Sequence, residues 1–232
     1  MCDCDAPQPC DIPPDLVRFK HQLPNLAQGL KSGSKIKIVA IGSSSTAGEG
    51  GIPPYPCRLE VALRDRFGNP TIDVLNRGKS GEEAPDELKR FESDILGEAP
   101  LLVIWQVGTN AVYHGDDPDV AVAAIAKGLD LLRGRRMDVV LMDLQYAPAM
   151  LQFTTVNVAE KMVTSIAAEA EKAGVNVFCR FALMKHWRDS NILFNRLIDP
   201  TDNSQLHQSE WSSRCVAQAL AGAIVEAVKA VA

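Results

Sequence analysis

Short apolar runs recur along the chain at intervals that suit strands separated by helices. The first, Ile36 to Ile41, ends on Gly42 and predicts a strand buried on both faces of a parallel sheet. Four more follow at Ile72 to Leu75, Leu101 to Val107, Val139 to Leu144 and Val175 to Cys179. Between them, apolar residues fall at helical spacing over about Pro56 to Phe67, Pro85 to Leu96, Val120 to Leu132 and Val158 to Ala173, and Gly174 is placed to stop the last of these. A final helix is expected from Ser209 towards Val231. Its Val216, Leu220, Ile224 and Val228 recur every fourth residue, so one stripe can lie on the sheet.

Strands alternating with helices read as βαβ units, and five of them make an α/β domain of three layers, α/β/α, around a doubly wound parallel sheet. The flavodoxin-like strand order 2-1-3-4-5 is the natural expectation, with ligands beyond the carboxyl ends of the strands. That rule selects the loops 42–56, 76–84, 108–119 and 145–155, with the segment before the last helix. The domain is expected over residues 35–232. Residues 1–34 read as a polar, proline-punctuated leader holding at most a short helix around Leu26 to Leu30.

Composition narrows the partners. A formal charge of −5 without a clustered basic face argues against nucleic acid. The densest basic stretch, Arg133-Gly134-Arg135-Arg136, falls after a predicted helix, where cations suit its C-terminus. No apolar run reaches the ~20 residues of a membrane span. Of six cysteines, Cys2, Cys4 and Cys10 crowd into the leader, which favours disulfide pinning in an oxidising compartment over free thiols or a metal site. Cys57, Cys179 and Cys215 lie on predicted helices or strands and are expected to be small buried apolar residues. With no signal peptide visible, the expected compartment is periplasmic or extracellular, with the cytoplasm as the alternative.

The loop Gly42-Ser43-Ser44-Ser45-Thr46-Ala47-Gly48 puts three consecutive serines at the mouth of the sheet. It lacks the lysine of a phosphate-binding loop, the dinucleotide glycine spacing and the Gly-x-Ser-x-Gly elbow. It resembles the first block of the SGNH/GDSL hydrolases, Gly-Asp-Ser-x-x-x-Gly, in a register that makes Ser44 the nucleophile. Asn76-Arg77-Gly78-Lys79-Ser80-Gly81 is similar to the second block, and Gly108-Thr109-Asn110 to the third. The resemblance implies an oxyanion hole from the Ser44 and Gly81 amides and the Asn110 carboxamide. It also implies a base, His207, in the place of the family's Asp-x-x-His block just before the last helix. Aspartate is replaced at three family positions, by Ser43, Ala111 and Ser204. The acid that orients His207 is therefore left among Asp202, the first choice, Asp199 and none.

The same resemblance implies an esterase of the secreted bacterial branch, acting through an acyl-enzyme on Ser44 without cofactor or catalytic metal. The expected substrate is a small-molecule or carbohydrate ester with a short acyl group. Gln145, Tyr146 and His186 are candidates for the substrate pocket. The three replaced aspartates motivate the alternative of a catalytically weakened SGNH-fold protein that binds carbohydrate or serves as a scaffold. A flavodoxin-like receiver or nucleotide binder is disfavoured by the loop chemistry. The oligomeric state is open.

Overall fold

A computed structural model describes residues 9–231 apart from residue 153. Short helices α1 (Pro14–Val17) and α2 (Pro24–Ser32) precede strand β1 (Ile36–Gly42). The helical turn α3 (Ser44–Ala47) and helix α4 (Tyr55–Phe67) lead to β2 (Ile72–Gly78), and α5 (Ala84–Leu88) and α6 (Phe91–Asp94) lead to β3 (Leu102–Gln106). Then come α7 (Thr109–His114), α8 (Pro118–Leu132), β4 (Asp138–Met142), α9 (Val156–Ala173) and β5 (Asn176–Phe178). Helices α10 (Arg180–Asp189), α11 (Phe194–Leu197) and α12 (Glu210–Lys229) complete the chain.

All five strands pair in parallel in the order β2-β1-β3-β4-β5, the expected doubly wound sheet. The single step from β1 out to β2 and the three steps in the other direction put their crossover helices on opposite faces. Accordingly α4 packs with α12, while α8 packs with α9. β1, β3 and β4 carry the core, with Ile41, Ile104, Trp105 and Leu141 fully buried.

Three expectations need correction. The helix expected over Pro85 to Leu96 is broken into α5, α6 and a 3₁₀ turn at Leu96–Glu98, because Arg90 turns inward between the two short helices and is buried. Cys215 is buried but not a lone apolar residue: it is bonded to Cys10, which pins the N-terminal segment onto α12. Cys57 is exposed on α4. Cys2 and Cys4 lie outside the described residues.

The segment before β1 contributes Val17, Phe19, Leu23, Leu26 and Ala27 to the same core as the sheet. The Asp138 carboxylate receives the Leu26 amide at 2.9 Å and the Asn25 side chain at 2.8 Å, so β4 supplies the cap for the first turn of α2. Among the described residues no helix is long and apolar enough to cross a membrane.

Candidate active site

β1 ends where the chain must turn sharply into α3, and Gly42 is required there by space. A Cβ at Gly42 would lie 2.5 Å from the Thr46 hydroxyl and 2.8 Å from Gln106 Oε1. Gly78, closing β2, is more constrained still, since a Cβ would sit 2.1 Å from the Ala47 amide nitrogen. The serine turn is therefore wedged between the ends of β2 and β3.

Gln106, the last residue of β3, fastens that turn: its Oε1 receives the Ser43 amide and hydroxyl, each at 3.1 Å, and the Thr46 hydroxyl at 3.3 Å. Ser43 thus faces a side-chain carbonyl, which a hydroxyl can donate to and a carboxylate cannot. The Gly42 carbonyl accepts from the Lys79 amide at 2.9 Å and from Arg90 Nη2 at 3.3 Å. Arg90 also pairs with Glu82 at 2.6 Å, so one guanidinium spans the first and second loops.

Ser44 is the first residue of α3 and is buried. In that position its amide precedes the first intrahelical bond of the turn and has no carbonyl behind it to satisfy. Gly81 has φ +79°, a left-handed conformation that disfavours any side chain. Asn110, the second residue of α7, is buried and donates from Nδ2 to the Glu82 carbonyl at 2.9 Å. An amide NH₂ has two hydrogens, so this bond orients the group and leaves the second for another acceptor.

His207 Nε2 lies 3.0 Å from Ser44 Oγ, and His207 Nδ1 lies 3.0 Å from Asp202 Oδ2. The loop that makes this possible is closed at its base by an antiparallel bridge between Ile198 and Gln208 and by the Asp199 amide donating to the His207 carbonyl at 2.9 Å. Gln205, at φ +53°, bends it back. Two residues more than the Asp-x-x-His spacing are absorbed in that bend, and Asp202 then accepts the amides of Ser204, Leu206 and His207 at 2.9, 2.8 and 2.7 Å.

Burial pushes the Asp202 carboxyl up, but the amide of His207, the hydroxyl of Ser204 and the remaining amides outweigh it. They hold it well below the usual carboxylate range. Asp202 is therefore an anion at neutral pH, suited to fix the His207 tautomer with Nδ1–H toward the carboxylate and Nε2 free to accept from Ser44. Ser204, at the aspartate position of the family block, braces Asp202 through its hydroxyl. Asp199 instead caps its own turn, accepting the Thr201 amide and hydroxyl.

Ser44, His207 and Asp202 are thus brought together, with Gly81 and Asn110 on neighbouring loops tied to one another through Glu82. Ala111 is buried in the apolar core. The three pocket candidates are not brought there as expected. Gln145 is fully buried beneath the loops, bonded to Thr109, Ser45 and Leu206. Tyr146 packs edge-on against Phe181, with ring centroids 5.1 Å apart, and stacks on Phe194. His186 Nε2 pairs with Asp11 at 2.7 Å, next to the disulfide.

A hollow beside Ser44 is walled by Ser45, Gly48, Ile52, Pro54, His207 and Gln208. In a second hollow that Gly81 also lines, side-chain atoms of Glu83, His114 and Asp116 lie within 4.8 Å of one another. Burial, then the neighbouring Asp116, pushes Glu83 up to about 7. Gln106, Arg90 and Asn110's partner Glu82 belong to none of the sequence blocks. Gln106 had a signal nonetheless, being the polar residue in the apolar run 101–107, because a buried polar side chain has to be bonded to something.

Residues 9–230 match the Non-GDSL lipase-like family. No curated protein matches the sequence. Among solved structures the fold is similar to Axe2, an acetylxylan esterase from Geobacillus stearothermophilus, with a TM-score of 0.69 and 18% identity over 83% of this chain and 95% of that one. It is also similar to LAE5, an alpha/beta hydrolase enzyme from the metagenome of Lake Arreo, Spain, with a TM-score of 0.67 and 18% identity over 85% and 96% of the two chains. Catalytic mutants of Axe2 replace a serine, an aspartate and a histidine by alanine.

Proposed function

The chain belongs to the Non-GDSL lipase-like family, and on that footing we propose that it is a serine hydrolase cleaving carboxylic esters through an acyl-enzyme on Ser44. The observation that carries the reading is the continuous array from Ser44 Oγ through His207 to Asp202, at 3.0 Å and 3.0 Å. His207 Nε2 takes the Ser44 proton as Oγ attacks the ester carbonyl. The negative charge that develops on the carbonyl oxygen meets the Ser44 and Gly81 amides and the second Asn110 N–H. Asp202 keeps the imidazole in register and stabilises its cationic form. The imidazolium then protonates the leaving alcohol, and water, deprotonated by His207, releases the acid and restores Ser44.

The first substrate class is a short acyl ester, with O-acetyl groups on carbohydrate at its head. Support comes from the name of the structurally similar acetylxylan esterase and from the small hollow beside Ser44, walled by Ser45, Gly48, Glu49, Ile52, Pro54 and Gln208. The catalytic domain in this reading spans residues 35–232, with the preceding segment as a strap. The Cys10–Cys215 disulfide supports a periplasmic or extracellular setting, where such bonds persist.

The test is hydrolysis of p-nitrophenyl acetate by wild type and Ser44→Ala, with fluorophosphonate labelling mapped by mass spectrometry. Loss of turnover in the variant and an adduct on Ser44 are expected. Equal, slow hydrolysis by both proteins would favour the carbohydrate-binding or scaffolding reading motivated by Ser43, Ala111 and Ser204.

A further inference from the structure

Gln145 lies three residues beyond β4 and is completely buried, so it has no access to a substrate. Its carboxamide instead reaches three other loops. Oε1 accepts from the Thr109 hydroxyl at 3.1 Å, and Nε2 donates to the Ser45 hydroxyl at 3.1 Å and to the Leu206 carbonyl at 3.3 Å. Each partner is the immediate chain neighbour of one member of the proposed machinery: Ser45 follows Ser44, Thr109 precedes Asn110, and Leu206 precedes His207. We propose that Gln145 is a positioning residue that sets the nucleophile, the oxyanion donor and the base in register with one another, an inference that rests on the esterase reading above.

The chemistry favours a primary amide for this task. The turns that follow β1 and β3 present one hydroxyl each and the loop between α11 and α12 presents one carbonyl, so the hub has to accept on one side and donate twice on the other. A carboxamide carries an acceptor and two donor hydrogens in one rigid plane. No polar group has to be left unpaired, which matters where water does not reach. Because its three arms are fixed relative to one another, displacement of one loop is transmitted to the other two.

Near-attack geometry is sensitive at this scale, and a shift of about 1 Å can cost about 100-fold in rate. Removing the hub is therefore expected to lower the chemical step and leave substrate affinity nearly alone. If Gln145 lined the pocket, its replacement would act on KM instead; Ser45 does wall the hollow beside Ser44, so its variant is read on kcat alone.

The experiment is steady-state hydrolysis of p-nitrophenyl acetate by Gln145→Met, Thr109→Val, Ser45→Ala and their combinations, with kcat expressed per serine titrated by fluorophosphonate. Methionine matches the length of glutamine without its hydrogen bonds, and titration removes any loss of folded protein from the comparison. Gln145→Met is expected to lose about 100-fold in kcat with KM within about threefold of wild type. Thr109→Val and Ser45→Ala should each lose about 5- to 10-fold in the wild-type background and nothing more in the Gln145→Met background, because the shared partner is already gone.

If Gln145→Met does not fold, the two single-arm variants and their non-additive combination carry the test alone. A kcat within twofold of wild type, a rise in KM at constant kcat, or strictly additive losses would overturn the positioning role. Ser44→Ala distinguishes this from failure of the parent reading. If that variant still turns over, the esterase assignment and the hub fall together, whereas an inactive Ser44→Ala beside a fully active Gln145→Met removes the hub alone.

Discussion

Asp202 holds His207 at two points, by its ring and by its backbone: Oδ2 lies 3.0 Å from Nδ1 and also accepts the His207 amide at 2.7 Å. The carboxylate and the imidazole therefore move as one unit. A five-residue separation, which on an extended chain would throw the two apart, becomes the shortest route once the loop folds onto the carboxylate.

Asp202→Asn is expected to lower kcat about 10³- to 10⁴-fold, since an amide in that place favours the wrong imidazole tautomer. Ser204→Ala should cost only a few-fold, because three amides still hold the carboxylate. Initial rates on p-nitrophenyl acetate measure both, and comparable losses in the two variants would mean that Ser204 orients the base. Asp202 also carries a pH signature. Its folded pKa is depressed, so its contribution to stability is present above the unfolded value near 4 and is lost as pH falls below it. Asp202→Asn should therefore be less stable than wild type at pH 7, and the gap should narrow steadily as pH falls below 4 in urea titrations.

Asn110→Ala removes the side-chain donor and should reduce kcat by about 10²- to 10³-fold with little change in KM. The same side chain ties down the Glu82 carbonyl, so a small drop in thermal stability is expected beside the kinetic loss. A KM effect at constant kcat would place Asn110 in ground-state binding and sink the oxyanion role.

Much of this architecture was legible in the sequence because apolar runs and glycines encode it directly. The five strands and four of the five expected long helices follow from periodicity, and the strand order from the doubly wound arrangement; the helix over Pro85 to Leu96 is broken into two short helices and a 3₁₀ turn, and α10 is not among the expected helices. Ser44 and His207 are nominated on a different ground: the serine loop follows a strand, His207 directly precedes the last helix, and their spacing resembles a known pattern. Long-range polar pairing was not legible. Nothing local tells Gln145 to reach Ser45 across 100 positions, or Cys10 to reach Cys215 across 205. Asp202 lay between these cases, since its bend depends on Gln205 taking a left-handed conformation that glutamine seldom adopts.

The Cys10–Cys215 bond closes nearly the whole chain into a loop, and Trp187 Nε1 donates to the Asp11 carbonyl beside it at 2.5 Å. Restricting so long a loop in the unfolded state is worth about 2–5 kcal/mol. Cys10→Ser should lower the melting temperature by about 5–15 °C. Its kcat per titrated Ser44 should stay within a few-fold of wild type: Cys215 sits in the second turn of the helix that follows His207, but the bonds that hold Ser44, His207 and Asp202 together are made among those residues and their own loops. Identical melting curves for the variant and the oxidised wild type would show that packing alone holds the strap.

Glu87 sets a further pH dependence, of opposite sign to that of Asp202. It is buried on α5 and accepts from Trp105 Nε1 at 2.5 Å, and burial pushes its carboxyl up to about 8 despite that bond and the nearby Arg90. Between pH 4.5 and 8 the native state keeps a proton that the unfolded chain releases, so stability declines as pH rises through this window and levels off above it. Glu87→Gln keeps an acceptor for the indole and removes the titration. The variant should match wild type at pH 4 and be clearly more stable than it at pH 9, where the wild-type protein has to bury an anion. Urea midpoints at pH 4, 6.5 and 9 would read the divergence. Parallel curves across that range would mean that Glu87 is already ionised in the folded protein at pH 4, with Arg90 as its counter-charge instead of the pairs that guanidinium now makes with Glu82 and Asp94.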